Sequence, residues 1–386
     1  MDVDAVPADG ETVRRGLEEA AAAGDTDGMT ALGVHYARLL DVPDVEQARR
    51  WLERAADAGH PEAMHNLGFL YAQMMTPPEI DMAVRWYERS AKAGNTSAMR
   101  GLGVLHEHRI DPPDLESAGR WYRRAANTGD SEAMRALGNL YAASTPPDLK
   151  SARAWLQRAA DAGHGTAMRE LGALLARQLE PPDLESARTW WERAAADGNA
   201  DAMNDLGDYF IERQPPDFDA ARYWWERGVD SGHLQATHNL GVLVGLWSQP
   251  RDLDRARRLW EQAAAGGLSD AMRNLGRLHL ESTPPDHEGA LHWFELAAEA
   301  GDVGLMRVVG ELYLRRMPED LDSALRWWER AADNGDVGAM RDLGHLYAEQ
   351  TDPPDVVAAR RWYQRAADAG DVDAARDLQD LDEFGE

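Results

Sequence analysis

The sequence contains no cysteine and almost no lysine. Of its 41 basic residues only Lys92 and Lys150 are lysines. The absence of cysteine excludes disulfide bonds, thiolate zinc sites and a cysteine nucleophile. No apolar run approaches the roughly 18 residues that a membrane-spanning helix needs, and the opening MDVDAVPADGE is acidic where a secretory leader is basic and then apolar. These absences predict a cytoplasmic protein that does not enter a membrane.

Basic charge is also scarce relative to acidic charge. The 386 residues contain 68 Asp and Glu, which gives a formal net charge of −27. Such a balance argues against direct nucleic-acid binding, because phosphates are neutralised by basic side chains. It also argues against electrostatic attachment to anionic membranes. With 44% hydrophobic residues the chain can nevertheless bury a sizeable core.

A nine-residue pattern recurs along the chain every 34 or 35 residues, and its clearest copy runs from Ala63 to Tyr71. We call the second residue of each copy the anchor. The anchors are Met29, Met64, Met99, Met134, Met168, Met203, Thr237, Met272, Met306, Met340 and Ala375. Glycine stands four residues after ten of these eleven anchors, and Gln379 is the exception. A fixed period of this length is typical of helical repeat arrays.

Each repeat is predicted to contain two helices. In the first, apolar residues and the glycine fall at i, i+3, i+4 and i+7, which is one face of an α-helix. The glycine predicts close approach by a neighbouring helix, which offsets its cost of about 1 kcal/mol in a helix interior. A Pro-Pro-Asp breaker follows in most copies, where proline ends the first helix and the aspartate caps the second.

The second helix repeats the same spacing, as in Ala118, Trp121, Tyr122 and Ala125. Nine of ten copies place Trp at the second of these positions, and the third is always bulky. A glycine such as Gly129 then ends the helix in the left-handed conformation. Because no segment has the period of a β-strand, the sequence predicts an all-α fold.

The two ends of the array depart from the repeat pattern. Gly16 and Leu17 replace the aromatic pair near the start, and Gln379 and Asp382 replace Gly and Tyr near the end. Terminal repeats need a polar outer face, because no further repeat stacks on them. We therefore predict four parts: a flexible acidic leader over residues 1–10, a single array over 11–382, capping helices at 11–24 and 371–382, and a tail over 383–386.

The combined pattern A-M-x-x-L-G-x-L-Y, breaker, A-x-x-W-[WY]-x-R-A-A-x-x-G resembles the Sel1-like repeat, a relative of the tetratricopeptide repeat. The resemblance covers residues 11 to about 382, and the Trp-containing half is specific to the family. The Pro-Pro-Asp breaker is shorter than the usual glycine-rich loop. The resemblance implies a right-handed superhelical α-solenoid of about ten repeats, whose first helices line the concave side. It also implies a scaffold or adaptor for other proteins, without catalytic residues or cofactors.

Arginine recurs directly after the anchor. Positions one, five and eight after the anchor form one flank of the core stripe, and by the resemblance this flank faces the groove. The first of these positions is arginine in seven copies, which we call the arginine line: Arg100, Arg135, Arg169, Arg273, Arg307, Arg341 and Arg376. The other copies have Thr30, His65, Asn204 and His238 there.

Two interpretations of the arginine line remain open. In the first, each arginine pairs with a nearby acid and holds adjacent repeats in register. The candidate acids are the capping aspartates and the Glu of the Trp-x-Glu-Arg motif, such as Glu192, Glu226 and Glu329. In the second, the line binds carboxylates or phosphates of an acidic or C-terminal peptide, which arginine holds with two parallel hydrogen bonds. Both can hold at different repeats.

One repeat, 237–271, breaks the pattern. Thr237 replaces Met, Val244 replaces Tyr, and Trp247 is the only tryptophan outside a second helix. Trp and Arg are frequent binding hot spots; alternatively, Trp247 fills the space left by Thr237 and Leu259. The complete set of predicted partner-binding residues is Arg100, Arg135, Arg169, His238, Val242, Leu246, Trp247, Arg273, Arg277, Arg307 and Arg341.

Catalytic and metal-binding patterns are weak. In His106-Glu107-His108 the two histidines point to different faces of a helix, and His287 and His292 miss the i, i+4 spacing of a metalloprotease. We predict no enzyme, metal or cofactor. The leading hypothesis is a scaffold that binds a protein or peptide partner in its groove. The alternative is an acidic regulator that masks a basic surface of its partner by charge mimicry, with steep salt dependence. Neither partner identity nor oligomeric state follows from the sequence.

Overall fold

Helices and short turns make up the described chain. The computed structural model describes residues 10–38, 42–315, 320–351 and 353–384, and no β-strand occurs within these ranges. The predicted all-α fold is confirmed. The predicted leader, apart from Gly10, and the last two residues of the predicted tail lie outside the described residues.

The chain divides into two compact units, Met1–Asn199 and Ala200–Glu386. The helices of the first unit are α1 (Gly10–Ala22), α2 (Thr26–Arg38), α3 (Val45–Asp57), α4 (Pro61–Phe69), α5 (Ile80–Lys92), α6 (Thr96–His108), α7 (Leu115–Asn127), α8 (Ser131–Ala142), α9 (Leu149–Asp161), α10 (Gly165–Arg177) and α11 (Leu184–Ala196). The even-numbered helices are the first helices of the repeats, and the odd-numbered ones from α3 onward are the second helices.

The second unit continues the same alternation. Its helices are α12 (Ala200–Glu212), α13 (Phe218–Asp230), α14 (Leu234–Val242), α15 (Leu253–Ala265), α16 (Ser269–Leu280), α17 (His287–Glu299), α18 (Val303–Leu314), α19 (Leu321–Asp333), α20 (Val337–His345), α21 (Val356–Asp368) and α22 (Val372–Phe384). Helices α1 and α22 occupy the places of the two predicted capping helices. None of the described helices is both long and apolar enough to cross a bilayer.

The helix glycines allow close packing, as predicted. A Cβ added to Gly172 would lie 2.5 Å from Nε1 of Trp191, and one added to Gly68 would lie 2.5 Å from the Tyr87 ring. The bulky third-position residue of each second helix therefore sits directly on the glycine of the preceding first helix. The flanking anchor and leucine side chains are buried with it.

The predicted helix ends are also present. The side chain of the breaker aspartate accepts a hydrogen bond from the backbone N–H three residues later at nine second helices, with distances of 2.9–3.2 Å. Eleven glycines, one after α1 and one after each of the ten second helices, have φ between 76° and 100°. The first breaker proline follows a cis peptide bond at seven positions among the described residues. The sequence analysis did not predict those cis bonds.

Three first helices end in a π-helical turn: Leu70–Met74 after α4, Leu243–Trp247 after α14, and Leu346–Gln350 after α20. All three belong to repeats of 35 residues. The turn accommodates the extra residue with a backbone hydrogen bond that spans five residues, as from Ser248 N to Leu243 O at 2.8 Å. The turn after α14 ends at Trp247.

Candidate functional site

Most members of the arginine line contact an acid on the next first helix or at its N-terminal cap. Five of these arginines contact a carboxylate 29 to 36 residues further along the chain. The pairs are Arg100 Nε and Asp130 at 3.4 Å, Arg135 Nη1 and Glu170 at 2.8 Å, Arg273 Nε and Asp302 at 3.0 Å, Arg307 Nε and Asp342 at 2.6 Å, and Arg341 Nε and Asp377 at 2.7 Å. These contacts connect consecutive first helices. This is the geometry expected if each arginine pairs with a nearby acid and holds adjacent repeats in register, which is the first interpretation of the arginine line.

The acids in these pairs are of two kinds. Asp130 and Asp302 cap the following first helix, as that interpretation proposed. The other three, Glu170, Asp342 and Asp377, lie two residues after the next anchor. The sequence analysis did not identify this second position. The sequence does indicate this position, because an acid stands two residues after the next anchor in the repeats that follow Arg135, Arg307 and Arg341.

The glutamates of the Trp-x-Glu-Arg motif bind other residues, so their assignment to the arginine line was wrong. Glu192 pairs with Arg188 at 3.5 Å and Glu226 with Arg255 at 2.7 Å. Glu329 accepts a hydrogen bond from the Tyr347 hydroxyl at 3.3 Å. The same tyrosine-to-glutamate bond, always over 18 residues, joins Tyr36 to Glu18, Tyr71 to Glu53 and Tyr313 to Glu295.

Three further arginines belong to the arginine line or lie near it. Arg169 is half-buried on α10, and its backbone carbonyl accepts a hydrogen bond from Trp191 Nε1 at 3.1 Å. Arg376 contacts Asp373 on its own helix at 3.4 Å. Arg277 is exposed and forms no ion pair with any described residue.

His65 occupies the arginine position of the second repeat and is largely buried beside the Tyr87 ring, with 5.4 Å between ring centroids. Burial, together with the charges of Arg100 and Arg38, lowers the pKa of His65 to about 4. The unfolded chain then binds a proton at His65 near pH 6.5 while the folded chain does not. The contribution of His65 to the free energy of unfolding is therefore fully present above pH 6.5, and it is lost as the pH falls towards 4.

We expect His65→Gln to reduce the loss of stability between pH 7 and pH 4.5 by about 2 kcal/mol. The measurement is urea unfolding at both pH values, with His108→Gln, at an exposed histidine, as the control. Identical pH dependence in wild type and His65→Gln would contradict the assignment.

The aberrant repeat forms a cavity in the second unit. Its volume is about 140 Å³, and its lining residues come from α12, α13, α14 and the following π-helical turn. We call it the Trp247 cavity, and its lining residues are Asp208, Ile211, Glu212, Trp225, Asn239, Val242 and Trp247. Two predicted residues, Val242 and Trp247, thus lie together. The Trp247 side chain is 47% exposed, whereas the interpretation in which it fills the space left by Thr237 and Leu259 requires a buried indole.

A network of amides fixes the polar wall of this cavity. Asn239 Nδ2 donates to Asp208 Oδ1 at 3.0 Å and to Asn204 Oδ1 at 3.1 Å. Asn204 Nδ2 donates to the other carboxylate oxygen of Asp208 at 3.0 Å. The oxygen of the same amide, Asn239 Oδ1, accepts a hydrogen bond from Gln235 Nε2 at 3.0 Å. The orientation of the Asp208 carboxylate is therefore set before any partner arrives.

The other predicted residues of this region do not line the Trp247 cavity. Leu246 and Arg277 line a narrow cavity of about 10 Å³ next to Trp260 and Asn274. His238 is buried, which lowers its pKa, and its Nε2 lies 2.9 Å from Asn274 Nδ2. A neutral imidazole accepts this hydrogen bond from the amide. Within the described residues no group of three or more His, Asp or Glu side chains has the arrangement of a metal site.

Second helices carry a feature that the sequence analysis missed. An arginine guanidinium lies 4.1–5.3 Å from the ring of a tryptophan three residues earlier in eight repeats. The tryptophans are Trp51, Trp86, Trp121, Trp155, Trp190, Trp224, Trp327 and Trp362. The motif W-x-x-R could have predicted this contact, because residues three apart lie next to each other on a helix and an arginine over a tryptophan ring is a favourable pair.

Comparison with known proteins gives matches to one repeat family. Ten segments match the Sel1 repeat: 26–60, 61–95, 96–130, 131–164, 165–199, 200–233, 234–268, 269–302, 306–336 and 337–371. A comparison with curated proteins gives no match. Sel1 repeat proteins are generally non-catalytic scaffolds for protein–protein interaction.

Two Sel1-type proteins are among the solved structures that are similar to the chain. One is c5321, a protective antigen present in uropathogenic Escherichia coli strains and displaying an SLR fold, with 24% identity, a TM-score of 0.59, and coverage of 96% of this chain and 83% of that one. The other is a Sel1 repeat protein from Oxalobacter formigenes, with 25% identity, a TM-score of 0.62, and coverage of 81% and 98%. Because the ten matched segments cover most of its length, this α-solenoid chain belongs to the Sel1 repeat family.

Proposed function

We propose that this Sel1 repeat protein is a non-catalytic scaffold that binds a segment of a partner protein across the first helices α12, α14 and α16. The observation that carries the proposal is the indole of Trp247, which is 47% exposed beside a cavity of about 140 Å³. An exposed tryptophan next to an open cavity is typical of an interaction hot spot, because truncating it often costs 2 kcal/mol or more.

The size of the Trp247 cavity fits one large side chain. An engineered apolar cavity of about 150 Å³ accepts benzene, and this cavity has nearly that volume. Ile211 and Val242 supply apolar walls, while Asp208 and Glu212 supply polar ones. A single anchoring side chain, flanked by backbone that crosses the neighbouring first helices, is the ligand that this arrangement favours.

We further propose different roles for the arginines. Those that bind a carboxylate of the next repeat hold neighbouring first helices together, which is the structural interpretation of the line. Arg277 forms no such pair with the described residues and lies at the narrow cavity beside Leu246. We assign Arg277 and Leu246 to the rim of the partner-binding surface, with Val242 and Trp247 at its centre, and propose that the buried His238 supports this surface from beneath through its hydrogen bond with Asn274.

Affinity capture with two variants tests this proposal. The full chain, immobilised, is incubated with a lysate of the cells from which the sequence comes, and bound proteins are compared between wild type, Trp247→Ala and Tyr223→Ala. Tyr223 is 54% exposed but lies on second helix α13. We expect a specific partner to be retained by wild type and Tyr223→Ala and reduced at least tenfold with Trp247→Ala. Equal retention by both variants would refute the proposed surface.

Charge mimicry predicts a different result. Under that alternative the partner binds exposed carboxylates, so Trp247→Ala retains the partner and moderate salt releases it. The proposed scaffold loses its partner with Trp247→Ala at every salt concentration. Repeating the capture at low and physiological ionic strength therefore separates the two functions.

A further inference from the structure

We propose that the Trp247 cavity accepts a cationic side chain, with arginine as the best fit, from the partner segment. This inference rests on the proposed function and specifies the chemistry of its anchor. It combines three properties of the cavity: its carboxylates, the unoccupied face of its indole, and its apolar walls.

Two carboxylates give one wall of the cavity its negative charge. Asp208 is held by the amides of Asn204 and Asn239, so that its charge has a fixed position. Glu212 is exposed and forms no ion pair with any described residue. Hydrogen bonds to ionised groups are roughly twice as strong as neutral ones, so a donor with positive charge gains most from this wall.

The exposed indole of Trp247 lacks, among the described residues, a covering cation that eight second-helix tryptophans have. Eight second-helix tryptophans carry an arginine of the same helix over the ring, at 4.1–5.3 Å. Among the described residues no arginine lies over Trp247. Tryptophan is the most favourable aromatic partner for a cation. A partner arginine would complete at Trp247 the contact that the chain makes internally elsewhere.

The charge and apolar walls of the cavity favour arginine over other side chains. A carboxylate or phosphate in this cavity would face Asp208 and Glu212, and the chain as a whole carries −27. A purely apolar side chain could pack on the walls of the cavity, but it would form no ion pair with the Glu212 carboxylate. Arginine instead can lay its aliphatic stem along Ile211 and Val242 and place its guanidinium between the indole and the carboxylates.

The test uses short peptides and the full chain labelled with 5-fluorotryptophan. The fluorine resonance of Trp247 is assigned with Trp247→Phe, and its shift is followed during titration with acetylated and amidated Gly-Gly-Arg-Gly-Gly. The comparison peptides carry citrulline, which has nearly the shape of arginine without its charge, or norleucine. Glu212→Gln removes one of the two carboxylate charges of the cavity, and Glu299→Gln, at the end of α17, is the matched control.

We expect the arginine peptide to shift the Trp247 resonance with a Kd of roughly millimolar order, as befits one anchoring side chain. The citrulline peptide should bind at least tenfold more weakly. Glu212→Gln should weaken the arginine peptide several-fold, and Glu299→Gln should leave it unchanged.

Equal affinity for the arginine and citrulline peptides, stronger binding of norleucine, or no shift with the arginine peptide at millimolar concentration would overturn the inference. None of these results would affect the capture experiment with Trp247→Ala. Loss of the partner in that experiment, together with preference for norleucine here, would leave the scaffold in place with an apolar anchor.

Discussion

Replacing Trp191 by alanine is expected to lower the free energy of unfolding of the first unit by about 3–5 kcal/mol, the range for large aromatic residues in cores. The Trp191 side chain is only 2% exposed. Its Nε1 donates to the carbonyl of Arg169 at 3.1 Å, and its ring rests on Gly172. Truncation therefore removes apolar contact between α10 and α11 and the hydrogen bond that the indole adds to the Arg169 carbonyl. Urea unfolding followed by circular dichroism measures the loss.

A double-mutant cycle with Gly172→Ala makes this prediction specific. In the wild-type background the new Cβ would lie 2.5 Å from Trp191 Nε1, and such overpacking costs about 1–3 kcal/mol. In the Trp191→Ala background the space is empty, so the same change should gain up to about 1 kcal/mol through helix propensity. Gly165→Ala on the same helix is the control, because its Cβ would meet nothing within 4 Å. Additive effects of the two substitutions would contradict the packing described here.

The second large effect concerns the turn between repeats. Gly94 ends α5 with φ of 91°, in the left-handed region that costs an ordinary residue about 1–2 kcal/mol and a β-branched residue more. We expect Gly94→Val to destabilise the first unit by about 2–3 kcal/mol. Gly94→Asn should cost clearly less, because asparagine tolerates this conformation better than other residues. The measurement is again urea unfolding of both variants. Equal losses for Val and Asn would show that the turn does not depend on backbone conformation.

The sequence was sufficient to predict the features that depend on a local period. The stripe of Met64, Leu67, Gly68 and Tyr71 predicts both the buried face of a helix and the close approach at its glycine. The breaker aspartates predict the caps of the second helices. Each of these depends on residues within about two turns of one helix, where spacing alone determines which side chains share a face.

Contacts between repeats were harder to predict. Arg307 reaches Asp342, 35 residues away, at 2.6 Å, and that distance depends on how one first helix is placed against the next. The sequence offered several acids at similar separation, and the glutamate chosen as an example, Glu329, binds Tyr347 instead. The constant 18-residue separation of such tyrosine and glutamate pairs was the signal that would have corrected the choice.

The cavity could be predicted only in part. The deviation of repeat 237–271 drew attention to Val242 and Trp247, and the structure brings both to one cavity. Asp208 and Glu212 belong to the preceding repeat and follow no unusual pattern there. Their place beside Trp247 depends on how α12 packs against α14, and a one-residue difference in repeat length does not reveal that the extra residue forms the π-helical turn that carries Trp247.

The most direct test of the proposed function is the affinity of the purified partner, once captured, for the full chain and two variants. Isothermal titration calorimetry gives the Kd for wild type, Trp247→Ala and Tyr223→Ala. Binding through the Trp247 cavity predicts a Kd raised about thirtyfold in Trp247→Ala, the equivalent of a hot spot of about 2 kcal/mol, and unchanged in Tyr223→Ala. A Kd for Trp247→Ala equal to that of wild type would contradict the account.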